Sequence, residues 1–283
     1  QPKRRNMPAS TSATRIEDVA NELLQKKYVH VTADKMSGLL EENVDLASLA
    51  RFWDDAAPQQ DEAGHEVYPG KRSLCSYYNY QAKEACSSTL GDPGVTLEYI
   101  DPTTVHQVSN YRVHKAWPAD ANSNPTLLAL RGLVFRVLSL VLQKMPASTL
   151  DDKLPVEHFQ AMQTAYRVTQ QPTFVRGNPG PEGVHQDDAT LTVICLINRN
   201  NVQGGVNRVW TLEQPNGKPV DVRPDNDRLL AELLLEQPLD TLLVLDRQVK
   251  HEATDIRPMD IHKIAVRDVL TFEVRPRKEQ GES

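Results

Sequence analysis

Apolar residues fall at helical spacing through the first part of the chain. Ile16, Val19, Ala20, Leu23 and Leu24 share one stripe with charges opposite, which predicts an amphipathic helix over residues 16–28. Residues 34–53 continue in the same style, with Met36, Leu39 and Leu40, then Leu46, Leu49, Phe52 and Trp53. Residues 54–73 are polar and broken by Pro58, Gly64, Pro69 and Gly70, the pattern of a loop. Residues 76–80 and 95–100 suit strands. Pro125 opens the strongest helical run, residues 126–144, closed by Pro146 and apolar on nearly every side, which implies packing against a sheet.

Beyond the midpoint the period shortens. Residues 190–198 (TLTVICLIN) are β-branched and apolar, and residues 207–213, 241–245 and 266–274 read as further strands. Residues 229–235 suit a strand or a short helix. Asn216-Gly217, between extended runs, signals a hairpin. Helices first and antiparallel strands later predict one α+β domain, a double-sheet jelly-roll (cupin-like) core buttressed by N-terminal helices. The expected layout is a disordered or trimmed segment over 1–14 and a single domain over 15–283. Within it, 15–150 is mainly helical support and 151–275 is the core.

Composition narrows the function. Of 283 residues, 39% are apolar and 25% charged, an ordinary globular mix. A net charge of -6 argues against a partner bound through its phosphate backbone. Three scattered cysteines, Cys75, Cys86 and Cys195, fit neither a disulfide framework nor a paired-cysteine zinc site. Cys195, in an apolar run, is expected to be a buried thiol. The apolar stretch 127–142 is short for a bilayer span and carries Arg131 and Arg136. The cysteine usage points to a reducing, intracellular compartment, so the expectation is a cytoplasmic protein without a membrane or nucleic-acid partner.

The residues that suggest chemistry are His185, Asp187 and His251. His185-Gln186-Asp187 follows a loop rich in Gly and Pro and precedes the apolar strand at 190–198. In extended backbone, residues i and i+2 face the same way, roughly 6.6 Å apart, so an imidazole and a carboxylate converge. His251 lies in a later strand-rich segment. Two His and one carboxylate form the facial triad of non-haem Fe(II) oxygenases. An isolated HxD arises often by chance, and a lone His near a strand is more often a surface or core residue. Arg267 strengthens the case. It opens the strand at 266–274, 16 residues after His251, and an inward guanidinium there needs an anion.

Together with Pro181-Glu-Gly-Val-His185-Gln-Asp187, three further blocks carry a resemblance. They are Leu196-Ile-Asn-Arg-Asn-Asn with Gly204-Gly205, the run 236–247 with His251, and Arg267-Asp-Val-Leu. Across about residues 160–275 the sequence resembles the Fe(II)/2-oxoglutarate dioxygenases of the isoleucine 4-hydroxylase type, whose relatives include fungal aziridine-forming enzymes. The resemblance implies a double-stranded β-helix, with His185, Asp187 and His251 as iron ligands and Arg267 as the 2-oxoglutarate anchor. Fe(II), 2-oxoglutarate and O2 are the implied cofactors, and a free aliphatic amino acid the implied substrate. Decarboxylation of 2-oxoglutarate to succinate and CO2 would drive oxidation of an unactivated C–H bond, giving a hydroxylated or oxidatively cyclised product. Where such relatives carry Gly after the aspartate, this chain has Asp188. Asp188 either holds a turn, the favoured reading, or meets a substrate ammonium at the pocket rim. Arg176 is a further candidate for a substrate carboxylate, against a plain surface role. Asp246-Arg247 either orient His251 or form an exposed turn pair. The competing classes are a catalytically silent jelly-roll metal-binding protein and an oxygenase of a larger peptide or secondary metabolite.

Overall fold

The computed structural model describes residues 14–40, 44–61, 63–80, 85–86, 95–99, 111–145, 154–171, 177–180, 182–218 and 224–277. Its helices are α1 (Ile16–Lys26), α2 (Ala33–Leu40), α3 (Leu46–Ala50) and α4 (Pro125–Lys144). The strands of the first half are β1 (Tyr28–Val31), β2 (Ala57–Pro58), β3 (Lys71–Tyr80), β4 (Ala85–Cys86), β5 (Val95–Tyr99) and β6 (Tyr111–Lys115). Those of the second half begin with β7 (Phe159–Gln170), β8 (Leu191–Asn200), β9 (Val202–Gly204), β10 (Asn207–Trp210) and β11 (Leu229–Leu233). They end with β12 (Thr241–Val244), β13 (Lys250–Ala253), β14 (Ile256–Pro258) and β15 (Ala265–Pro276).

A ten-stranded sheet follows the order β1-β12-β8-β15-β7-β3-β6-β5, with β2 and β4 beside β3. It is antiparallel apart from the β3–β6 pair. A three-stranded sheet, β11-β10-β13, and the pair β14-β9 complete the strands. The first half, expected as mainly helical support, also supplies strands to this sheet. β1 pairs with β12, and β3 pairs along nine positions with β7, so one sheet draws on both halves of the chain. Local pattern marks residues 76–80 of β3, but the pairing itself is long-range, which local periodicity does not report.

β15 is the spine. Leu270, Phe272 and Val274 pack with Leu191, Val193 and Cys195 of β8 against Leu130, Val134, Val137 and Val141 of α4. The intervening Arg267, Val269, Thr271, Glu273 and Arg275 line a cavity on the other face. A strand covered on both sides is buried almost throughout, which explains why 266–274 lacks alternation. α4 starts where expected: Asn124 Oδ1 accepts the Leu127 N–H at 3.0 Å and Pro125 occupies the first turn. It is long and apolar enough to cross a membrane, but its stripe packs on the sheet. Arg131 on that stripe is buried, donating to Gln163 Oε1 at 2.6 Å and resting 4.6 Å from the Tyr78 ring centroid.

Residues 229–235 contain a strand, β11, with no helix. It pairs with β10, but residues 211–228 intervene, so Asn216-Gly217 is not a tight hairpin turn. Instead Gly217 and Val184 exchange backbone hydrogen bonds at 2.9 Å, tying this segment to the one that leads into His185.

Candidate active site

The segment Val184–His185 is held from both sides. Val184 pairs with Gly217, and His185 pairs with His251 of β13 through two backbone hydrogen bonds of 3.0 Å. That bridge sets the imidazoles side by side, 4.5 Å between ring centroids. Alternation returns Asp187 to the same face, as the HxD spacing predicts, while Gln186 turns away and donates to the Asp246 carbonyl at 2.8 Å. Asp187 then lies between the rings: Oδ1 is 3.3 Å from His185 Nε2 and Oδ2 is 3.3 Å from His251 Nε2. One donor atom from each of the three lies within 4.8 Å of the others, so the group could hold a metal ion.

Each outer nitrogen faces an oxygen, which directs the inner ones. His185 Nδ1 donates to the Gly183 carbonyl at 2.8 Å. His251 Nδ1 faces Asp246 Oδ1 at 3.2 Å, a charge contact short of hydrogen-bond alignment. Asp246 is fully buried and its Oδ2 accepts the Ala189 N–H at 3.1 Å. The turn pair is thus split: Asp246 backs His251, and Arg247 reaches Asp188. A proton on Nδ1 of each ring leaves Nε2 as a lone-pair donor.

Burial drives the Asp187 carboxyl upward, but His251 and His185 outweigh it and hold it well below the usual carboxylate range. Burial pulls both imidazoles down, and in His185 the neighbouring His251 adds to this. Asp187 overrides these effects and raises both, His251 strongly. A carboxylate and two imidazoles so arranged call for positive charge at their centre. A proton supplies it, and so would a divalent cation, for which N₂O donors are suitable.

Arg267 lies on the same cavity, 2% exposed, with Nε and Nη2 lacking hydrogen-bond partners among the described residues. Burial, then the nearby Arg199, push its guanidinium down to about 10 against the pull of Asp268. Its packing needs a glycine opposite: a Cβ on Gly205, whose φ is +67°, would sit 3.1 Å from Arg267 Cδ and 3.2 Å from Nε. Arg199 braces that turn by donating to the Gly204 carbonyl at 2.7 Å. The buried donors suit an oxygen-bearing anion.

Asp188 is at the cavity rim with φ +56°, its carboxylate 3.1 Å from Arg247 Nε. Arg176 lies outside the described residues. On β3, Tyr77 lines the cavity, while Tyr78 and Tyr80 pack in the core beside α4. Cys195 is buried, its thiol pushed up to about 12 by burial.

The cavity, about 560 Å³, lies between the ten-stranded and three-stranded sheets. Sequence reasoning missed several of its walls. Lys71 is buried with its ammonium 4.4 Å from the Tyr166 ring centroid. Buried Arg112 pairs with Glu182 and crosses the Tyr68 ring at 5.1 Å. Burial raises the Glu182 carboxyl, but Arg112, Lys71 and His185 overcome this and bring it to about 2. Glu182 stands in the block around His185 without a chemical signal of its own, Lys71 and Arg112 form no motif, and only β3, β6 and the loop before His185 bring them together. Asn207 and Thr192, also on the wall, are taken up below.

With the geometry in hand, comparison with known proteins identifies its setting. The 2OG-Fe dioxygenase family model matches residues 118–273. The bifunctional enzyme flvA of Aspergillus flavus is 28% identical over 110 residues, 38% of this chain. The match spans only 13% of that relative's length. Among solved structures, the Fe(II)/α-ketoglutarate-dependent dioxygenase TqaL superposes with a TM-score of 0.66 at 19% identity, covering 94% of this chain and 88% of that one. A bsmA homolog from Methylobium petroleophilum gives 0.68 at 19% identity, over 96% and 98%. IDO from Bacillus thuringiensis gives 0.59 at 14%, over 93% and 99%. At these identities the structural likeness speaks for the fold. The family match covers more than half of the sequence and includes His185, Asp187, His251 and Arg267, and the chain therefore belongs to the 2OG-Fe dioxygenases, oxidoreductases that use Fe(II), 2-oxoglutarate and O2.

Proposed function

We propose that this enzyme oxidises an unactivated C–H bond of a small, free aliphatic amino acid, as the isoleucine 4-hydroxylase type does. The observation that carries the proposal is one cavity with three converging donors on one wall and a buried, partnerless guanidinium on another. In this reading His185, Asp187 and His251 hold Fe(II) and Arg267 grips the distal carboxylate of 2-oxoglutarate. The two facing sheets are read as a double-stranded β-helix.

When bound, the iron and 2-oxoglutarate supply O2 activation, with succinate and CO2 as coproducts. The chain's own residues do the rest. The Gly183 carbonyl holds the His185 Nδ1 proton and the Asp246 carboxylate beside His251 Nδ1 favours a proton there, so that Nε2 of each ring faces inward. Val269, Ile194 and Tyr166 provide an apolar flank suited to an aliphatic side chain. Lys71, Arg112 and Glu182 place both signs of charge on the wall, with Glu182 felt by His185, and these suit a zwitterion. Arg176 and Asp188 stay as weaker candidates for the substrate's carboxylate and ammonium. Asp188 already has Arg247 as a partner, which favours its structural role. The compartment we propose is the cytoplasm.

The test is aerobic incubation with Fe(II), 2-oxoglutarate, ascorbate and a panel of free amino acids, read by mass spectrometry. Succinate rising with one aliphatic amino acid supports the reading. One added oxygen marks hydroxylation, and loss of two hydrogens marks desaturation or ring closure. Coupled turnover confined to peptides or larger metabolites would overturn the substrate class. Arg267→Ala should raise the 2-oxoglutarate requirement by 10-fold or more, as expected on losing charge-assisted hydrogen bonds. An unchanged requirement places the anchor elsewhere.

A further inference from the structure

Asn207 is 1% exposed, lines the cavity, and neither its Oδ1 nor its Nδ2 has a hydrogen-bond partner among the described residues. Buried side-chain amides are nearly always bonded, and one left with both ends open is costly in the ligand-free protein. The register says where this amide stands. In the β10–β13 pair, Val209 is opposite His251 and Asn207 is opposite Ala253. Cross-strand partners share a face and so do residues i and i+2, so Asn207 faces the same way as His251, roughly 6.6 Å along the strand. Two residues in the other direction, the Gly205 backbone lies against the Arg267 side chain. Asn207 therefore stands between a candidate metal ligand and the partnerless guanidinium.

Resting on the site reading above, we infer that Asn207 is a binding residue for 2-oxoglutarate, its amide N–H2 donating to the carboxylate at the end of the cosubstrate away from Arg267. At neutral pH 2-oxoglutarate is a dianion that presents only acceptors, so it takes the donor end of the amide. The carbonyl end is left to solvent in the cavity. Which end points which way is set by the ligand, since the two amide orientations occupy the same space. The residue adds direction to the grip of Arg267: a guanidinium holds one end of a flexible five-carbon chain, and a second donor on the carboxylate at the other end fixes the chain's course. Thr192, whose Oγ1 is likewise buried and unbonded on this wall, lies on β8 and its placement says nothing of that path.

The test uses the full chain loaded with Mn(II), which binds without turnover, and measures 2-oxoglutarate affinity by calorimetry. Asn207→Leu keeps the shape and removes both polar ends. Asn207→Asp keeps the shape and turns the donor into a negative charge. The expected result is a loss of about 10-fold to 100-fold for Leu and a larger loss for Asp, with Mn(II) affinity unchanged in both. The melting temperature of ligand-free Asn207→Leu should hold or rise, because the variant removes an unsatisfied amide. A lowered melting temperature with unchanged 2-oxoglutarate affinity would make Asn207 structural and overturn the inference. So would a loss confined to amino-acid affinity in the Mn(II)- and 2-oxoglutarate-loaded protein, which would move Asn207 to the other substrate. Failure of the unaltered protein to bind 2-oxoglutarate would instead sink the reading of the site beneath it.

Discussion

Asp188 shows how one residue separates backbone demand from chemistry. Its φ of +56° is a conformation that glycine adopts freely, Asp tolerates, and β-branched residues resist. The glycine expected by resemblance and the aspartate present here thus meet the same backbone need. The Arg247 contact is exposed and worth about 0–1 kcal/mol. Asp188→Gly should leave the melting temperature and the product unchanged, whereas Asp188→Val should cost about 1–3 kcal/mol. Equal stability of the two variants would show that the backbone there is relaxed. Asp246 is a different case, buried and acting through His251. Asp246→Asn should weaken metal affinity by about 10-fold to 100-fold without unfolding the chain, measured by Mn(II) or Zn(II) titration. His185→Ala or Asp187→Ala should abolish iron-dependent succinate formation, and normal turnover of a metal-loaded variant would dismiss the triad. The triad and Arg267 were legible as residues because chemistry and spacing mark them. Asp246 was only half legible, since an Asp-Arg pair in a turn looks the same whether buried or exposed.

Elements explain what the residues do not. HxD works because the segment through His185 is sewn to β13 and to Gly217, so its alternation is enforced on a short stretch outside any regular strand. Close approach at that seam requires Gly183, where a Cβ would lie 2.2 Å from the Gly217 carbonyl oxygen. The neighbouring Arg112–Glu182 pair ties β6 to this loop. Glu182 titrates near 2 in the folded chain against an ordinary 4.5, so its folded-state value is depressed. The stability it contributes is therefore complete above about pH 4.5 and is lost as pH falls from there toward 2. Denaturant melts between pH 6 and 3 should show this acid loss in the native chain. Glu182→Gln should flatten it while lowering stability at pH 6, because Arg112 is left buried without its carboxylate. A Gln variant with the same acid profile would assign the loss to other groups.

At the scale of the whole molecule, the cavity is a joint product of both halves of the chain. β3 and β6 from the first half, the loop before His185, and β7, β8, β10, β13 and β15 all contribute to its wall. Ligands that bind this wall only when it is assembled stabilise the fold by mass action, about 2.7 kcal/mol at a hundred times the dissociation constant. Mn(II) with 2-oxoglutarate should accordingly raise the melting temperature by more than the sum of their separate shifts, and EDTA should reverse the gain. Additive or absent shifts would show that metal and cosubstrate do not share the site.

By itself the sequence determined the things that local rules enforce. The stripe of α1, the capped and Pro-led start of α4, the β-branched run of β8, and the HxD pair with a distant His and Arg were all readable from spacing and residue type. What only the tertiary structure decided is which strands join one sheet and which polar side chains end inside it. β1 and the first half of β3 had too little local signal to stand out from their surroundings, and the pairing of these strands with β12 and β7 is long-range. Lys71, Arg112, Glu182 and Asn207 are unremarkable along the chain. They become part of a site because cross-strand register, which no short stretch of sequence encodes, turns them toward one cavity.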